Sequence, residues 1–187
     1  MDIINLELTE GTELDFQIAL VENPAIESDF MAFSKKELFK VTDEEKRIVS
    51  GFAMVSELPI YRRDENGKEY YVKFSAKSIK NISEQFFKNG LNNQTNLNHQ
   101  TDNFIQDVFV FESFLIDEDR GILSPKGYDK QPDGSWFISM KVNNDKVWES
   151  IKNGEFKGFS VEGVFDKEEN KFLATLKNIV DNYKKEV

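Results

Sequence analysis

The chain has 187 residues, 39% hydrophobic and 13% aromatic with seventeen phenylalanines, enough apolar side chain for a real core in one domain spanning 1–187. It contains no cysteine, which excludes disulfide frameworks, thiolate nucleophiles and cysteine-ligated zinc or iron–sulfur sites. A net charge of -10, with arginine only at Arg47, Arg62, Arg63 and Arg120, argues against a nucleic-acid-binding surface.

No apolar run is long enough to span a bilayer, and Met1-Asp2 does not begin the basic-then-apolar order of a signal peptide. The expected compartment is therefore a cytoplasm. Leu14 to Val21 reads as a mostly buried strand stopped by Asn23-Pro24. Phe30 to Val41 alternates and predicts a second extended piece, followed by a charged turn over Thr42 to Lys46. Arg47 to Val55 predicts a strand, with Gly51 marking a bulge or a close backbone approach. Asp64-Glu65-Asn66-Gly67 before Tyr70 to Phe74 is a hairpin signal, because Asn and Gly both tolerate positive φ. The same acids lack the ligand spacing of a calcium loop.

Next comes a helix capped by Ser75, with Ile79, Ile82, Phe86 and Phe87 on one face and Gly90 as its stop. Asn92 to His99 is polar and rises into a strand ending at the histidine. Val108 to Asp117 is the most apolar strand, interrupted by Glu112. Turns at Glu118 to Gly121 and at Asp133-Gly134 lead into Trp136 to Val142, which alternates as a strand does. A short helix from Asp145 to Asn153 is closed by Gly154, and Lys157 to Phe165 is a further strand holding Ser160. Phe172, Leu173, Leu176, Ile179, Val180 and Tyr183 lie at helical spacing over 168–185, as a packing or dimer face would. Several strands, interspersed short helices and no βαβ rhythm predict an α+β domain: a small antiparallel β-barrel surrounded by helices.

A serine hydroxyl becomes a nucleophile only when a neighbouring base takes its proton, and histidine is the side chain that titrates near neutral pH. The chain holds one histidine, His99, so that role falls to one residue. Spacing alone leaves the alternative that both residues are ordinary core or surface positions. No α/β-hydrolase elbow is present: the second glycine comes one place late, at Gly163, and no histidine follows Ser160. Gly158 to Gly163 also lacks the closing Lys-Ser/Thr of a phosphate loop.

Four pieces stand in a telling order: Asn98-His99, the apolar strand Phe109 to Asp117 with its acidic turn to Gly121, the strand Trp136 to Val142 leading into the helix Val147 to Gly154, and Phe156-Lys-Gly-Phe-Ser-Val-Glu-Gly163. Together they resemble the phage prohead (capsid maturation) serine proteases, related in fold to the herpesvirus assemblins, over about Arg47 to Phe165. The resemblance implies an assemblin-like fold, Ser160 as nucleophile and His99 as general base. It also implies scaffold and capsid proteins as substrates inside the assembling prohead in the host cytoplasm, a homodimer, and no metal or cofactor. Ile18-Ala-Leu-Val-Glu-Asn-Pro-Ala25 resembles a strand the family carries after the serine, here moved to the N-terminus (14–21) as though permuted. The third, histidine-orienting member is open between Glu112, Asp15, Gln17 and Glu162. Two other readings are a capsid-associated structural protein that kept the fold and lost activity, and an acidic binding domain.

Overall fold

The structure is a computed structural model that describes residues 3–8, 17–22, 39–63, 67–100, 104–162 and 165–167. In chain order its strands are β1 (Ile3–Leu8), β2 (Gln17–Val21), β3 (Phe39–Asp43), β4 (Ile48–Met54), β5 (Ile60–Arg63), β6 (Glu69–Phe74), β7 (Thr95–Leu97), β8 (Val108–Leu115), β9 (Trp136–Val142), β10 (Gly158–Glu162) and β11 (Phe165–Lys167). Helix α1 (Ala76–Lys88) follows β6, and α2 (Asp145–Lys152) follows β9. Asp15, the first part of the 30–41 stretch and the 168–185 helix lie outside the described residues.

The α+β class holds, but the expected closed barrel does not. Among the described residues the strands form three open sheets, ordered β11-β1-β6-β5, β10-β2-β7 and β3-β4-β9-β8. Bulges between Phe52 and Met54 and between Val110 and Glu112 bend the last sheet, yet its outer strands β3 and β8 stay unpaired with each other. The pairing is not purely antiparallel either: β1 runs parallel to β6, and β2 parallel to β7. Among the described residues two α-helices sit against this core.

Both helices form where the sequence supplies a cap and a stripe. Ser75 accepts the Ser78 amide at 3.1 Å, and Ile79, Ile82 and Phe86 turn one face of α1 into the core. The Phe86 ring meets Trp136 edge-on, centroids 5.5 Å apart. In α2, Asn144 accepts the Val147 amide at 3.2 Å, and Val147, Trp148 and Ile151 are buried.

Strand β9 alternates in sequence but is buried on both faces. Trp136, Ile138, Met140 and Val142 face the main core together with Ile18, Leu20, Phe86 and Phe159. Phe137 faces the other way, into a second cluster with Phe52, Val55 and Ile116, closed by Phe114 and Tyr128. The Tyr128 hydroxyl donates to the Ser50 carbonyl at 2.5 Å and ties that covering segment down.

The bulge in β8 explains the placement of Glu112. Val108 and Val110 point into the core, and uninterrupted alternation would send Glu112 after them. The extra residue, Phe111, is 50% exposed and shifts the parity, so that Glu112 pairs with Ser139 on the outer face. Ser113 and Leu115 take the core-side positions opposite Ile138 and Trp136.

Candidate active site

Ser160 sits in the middle of β10, paired antiparallel with Ala19 of β2, and Ala19 in turn pairs with Asn96 of β7. The row Ser160–Ala19–Asn96 therefore crosses the whole three-stranded sheet. Alternation separates its two faces. Phe159, Ile18 and Leu20 enter the main core, and Phe159 meets Phe39 with centroids 5.3 Å apart. The opposite face carries Ser160, Gln17, Ala19 and Asn96, all buried, with Ser160 still 7% exposed. This buried face carries polar side chains, whereas the Phe159 face of the same sheet is apolar.

Strand β2 of the N-terminal segment pairs directly with the serine strand. Its insertion has a consequence for the expected pair, because β2 stands between the Ser160 strand and the His99 strand. The strands of Ser160 and His99 are thus next-nearest neighbours, two spacings or about 9.6 Å apart. The histidine strand also stops earlier than its composition suggests, at Leu97. Asn98 and His99 both take positive φ, 47° and 62°, and Gln100 donates to the Leu97 carbonyl at 3.0 Å. That is a type I′ turn, which asparagine accepts readily. His99 is exposed on this turn, at the end of the sheet where β10 begins and β2 ends. Two bonds hold the turn to β2: Asn98 Nδ2 donates to Glu22 Oε1 at 3.1 Å, and the Glu22 amide donates to Asn98 Oδ1 at 3.2 Å.

The candidates for the third member separate. Gln17 lies on the Ser160 face, and its Oε1 accepts Asn96 Nδ2 at 2.5 Å. Glu162 pairs through its backbone with Gln17, and Asp15 lies outside the described residues. Glu112 is on another sheet, where it accepts the Ser139 hydroxyl at 2.5 Å. Ser50 donates to Ser139 at 2.9 Å and also contacts Thr42 at 3.1 Å, so Glu112 ends a hydroxyl chain laid across β3, β4, β9 and β8. A polar residue that the sequence reading passed over is Asn96, fully buried on the Ser160 face. No local pattern marked it, because its burial follows from the sheet order that places Ala19 and Ser160 beside it.

Among the described residues no three acidic or histidine side chains converge as a metal site, and no helix is long and apolar enough to cross a membrane. A profile of the family described as "Putative phage serine protease XkdF" matches residues 35–169. The chain belongs to this family. The match covers the Ser160 strand, the His99 turn and both helices, and leaves β2 outside it. No curated protein and no solved structure is significantly similar to the chain. Membership of a phage serine protease family makes a serine hydrolase the coarse assignment.

Proposed function

We propose that the chain is the maturation endopeptidase of a phage prohead, cutting scaffold and capsid proteins during head assembly, with Ser160 as nucleophile and His99 as general base. The observation that carries this reading is Ser160 on a buried polar sheet face whose open end holds the chain's one histidine, inside a phage serine protease family. In the proposed reaction His99 takes the Ser160 hydroxyl proton as Oγ attacks the scissile carbonyl carbon. The imidazolium then gives that proton to the leaving amine, releasing one product and leaving an acyl-serine. Water, deprotonated by the same ring, hydrolyses the ester and restores the hydroxyl. Backbone N–H groups near Ser160 hold the oxyanion. Catalytic contacts that are long without substrate tighten in the substrate complex, which accommodates an exposed His99 turn. A homodimer, as in the assemblins, belongs to the same proposal.

One observation favours a second reading, an inactive capsid-associated protein: β2 separates the two strands that would have to cooperate. Co-expression with the neighbouring capsid and scaffold proteins decides between them. The proposal expects discrete shortened products by intact mass with the wild type and none with Ser160→Ala. Identical masses from both would leave the structural role standing.

A further inference from the structure

Asn96 is fully buried, and its two amide atoms are treated differently. Nδ2 donates to Gln17 Oε1 at 2.5 Å, whereas Oδ1 is a buried side-chain acceptor without a hydrogen-bond partner among the described residues. Folded proteins rarely leave such an atom unpaired, and where they do it commonly belongs to a site that is completed by something else. The amide is planar, so with Nδ2 turned to Gln17, at the start of β2, Oδ1 diverges from it. Asn96 shares the sheet face of Ser160, two strands away, and only the Ala19 methyl stands between them in the row. That methyl, itself fully buried, is flanked in the row by a hydroxyl on one side and an acceptor without a partner among the described residues on the other.

Resting on the assignment of Ser160 and His99 as nucleophile and base, we infer that Asn96 is the positioning residue that orients His99, its Oδ1 accepting one ring N–H while the other ring nitrogen faces Ser160. A gap of about 9.6 Å between the outer backbones suits one five-membered ring with hydrogen bonds of about 2.8 Å on either side. His99 lies three residues beyond Asn96 on the same segment, and the I′ turn folds that segment back. The bonds between Asn98 and Glu22 fix the turn beside β2, and the inference requires the His99 ring to turn from its exposed position toward Oδ1. Gln17 then acts behind Asn96, holding the amide in the orientation that presents oxygen. An uncharged acceptor selects the ring tautomer without fixing a proton on it, which suits a base that has to be neutral near pH 7. Among the described residues, Glu22, bonded to Asn98, and Lys157, whose amide donates to the Val21 carbonyl, are charged residues at this end of the sheet.

A chain with one histidine gives one imidazole titration by proton NMR, a readout independent of cleavage. In the Ser160→Ala protein, Asn96→Asp places a carboxylate where Oδ1 stood, favours imidazolium and raises the His99 midpoint by about one pH unit or more. Asn96→Leu produces no such rise. In the active protein Asn96→Leu lowers kcat at least tenfold with KM little changed, and Asn96→Asp keeps activity with its pH rise moved upward. A titration unmoved by Asn96→Asp overturns the inference. So does a raised KM at unchanged kcat in Asn96→Leu, which would make Oδ1 a substrate contact. Asn96→Asp is close to isosteric, so the titration stands even where Asn96→Leu fails to fold. A shifted titration in a chain that never cleaves removes the protease assignment and keeps the contact, whereas cleavage with an unmoved titration removes the contact alone.

Discussion

Gly134 offers a stability test whose size follows from the coordinates. It has φ +79°, and a Cβ built on it would stand 2.3 Å from Ala76 Cβ and 2.7 Å from Ala76 Cα. Ala76 is the first residue of α1, so the Asp133-Gly134 turn lies directly under the helix start, with the Gly134 amide bonded to the Ile116 carbonyl at 2.8 Å. In Gly134→Ala the left-handed backbone costs about 1–2 kcal/mol. Relieving the overlap requires the turn or the helix to shift, an overpacking cost of about 1–3 kcal/mol. The sum is roughly 2–5 kcal/mol, a large share of the stability of a domain this size. Gly121 is the internal control, with φ +75° and nothing within 4 Å of an added Cβ. Gly121→Ala should lose only the backbone part, about 1–2 kcal/mol. Urea unfolding followed by tryptophan fluorescence reads both variants through the buried Trp136 and Trp148. If Gly134→Ala is no less stable than Gly121→Ala, the docking of α1 onto this turn is wrong.

Ser113→Ala removes the acceptor of the Trp136 indole N–H, now at 2.7 Å from Ser113 Oγ, and should cost about 1–3 kcal/mol by urea unfolding because Trp136 is fully buried. A loss below about 0.5 kcal/mol would mean that the indole finds another acceptor. Glu112→Gln keeps an oxygen for the Ser139 hydroxyl, so it should lower stability by about 1 kcal/mol or less and leave the pH profile of cleavage where it was. A downward shift of that profile would restore Glu112 as the histidine-orienting acid. Ser75→Ala should cost about 1 kcal/mol through the lost cap on α1, read as a lower thermal midpoint.

What could be read from the sequence was mostly local. Ser75 and Gly90 bounded α1, Gly154 closed α2, and the alternation of Trp136 to Val142 gave β9, because caps, stops and periodicity act over a few residues. The Asn66-Gly67 signal correctly brought β5 and β6 together as an antiparallel pair. Strand β1 was passed over although Ile4 and Leu6, packed against the core, alternate with Asn5. Its parallel pairing to β6 depends on residues about 68 positions apart (Ile3 with Tyr71), which no local pattern reports. The apolar strand interrupted by Glu112 was legible, but not the bulge at Phe111, where one extra residue exchanges the faces of everything after it. At the site, Ser160 and His99 stood out by residue type and by resemblance. The insertion of β2 between their strands is a matter of sheet order, and the importance of Asn96 appears only once Gln17, Ala19 and Ser160 share a face with it.

Reaction of the purified protein with a fluorophosphonate, read by intact mass and then by peptide mapping, tests the central claim most directly, because the reagent modifies a serine only where a base has activated it. The account predicts one adduct, on Ser160, absent from Ser160→Ala and strongly slowed in His99→Ala. An adduct on a different serine, or equal labelling of the His99→Ala protein, would contradict it.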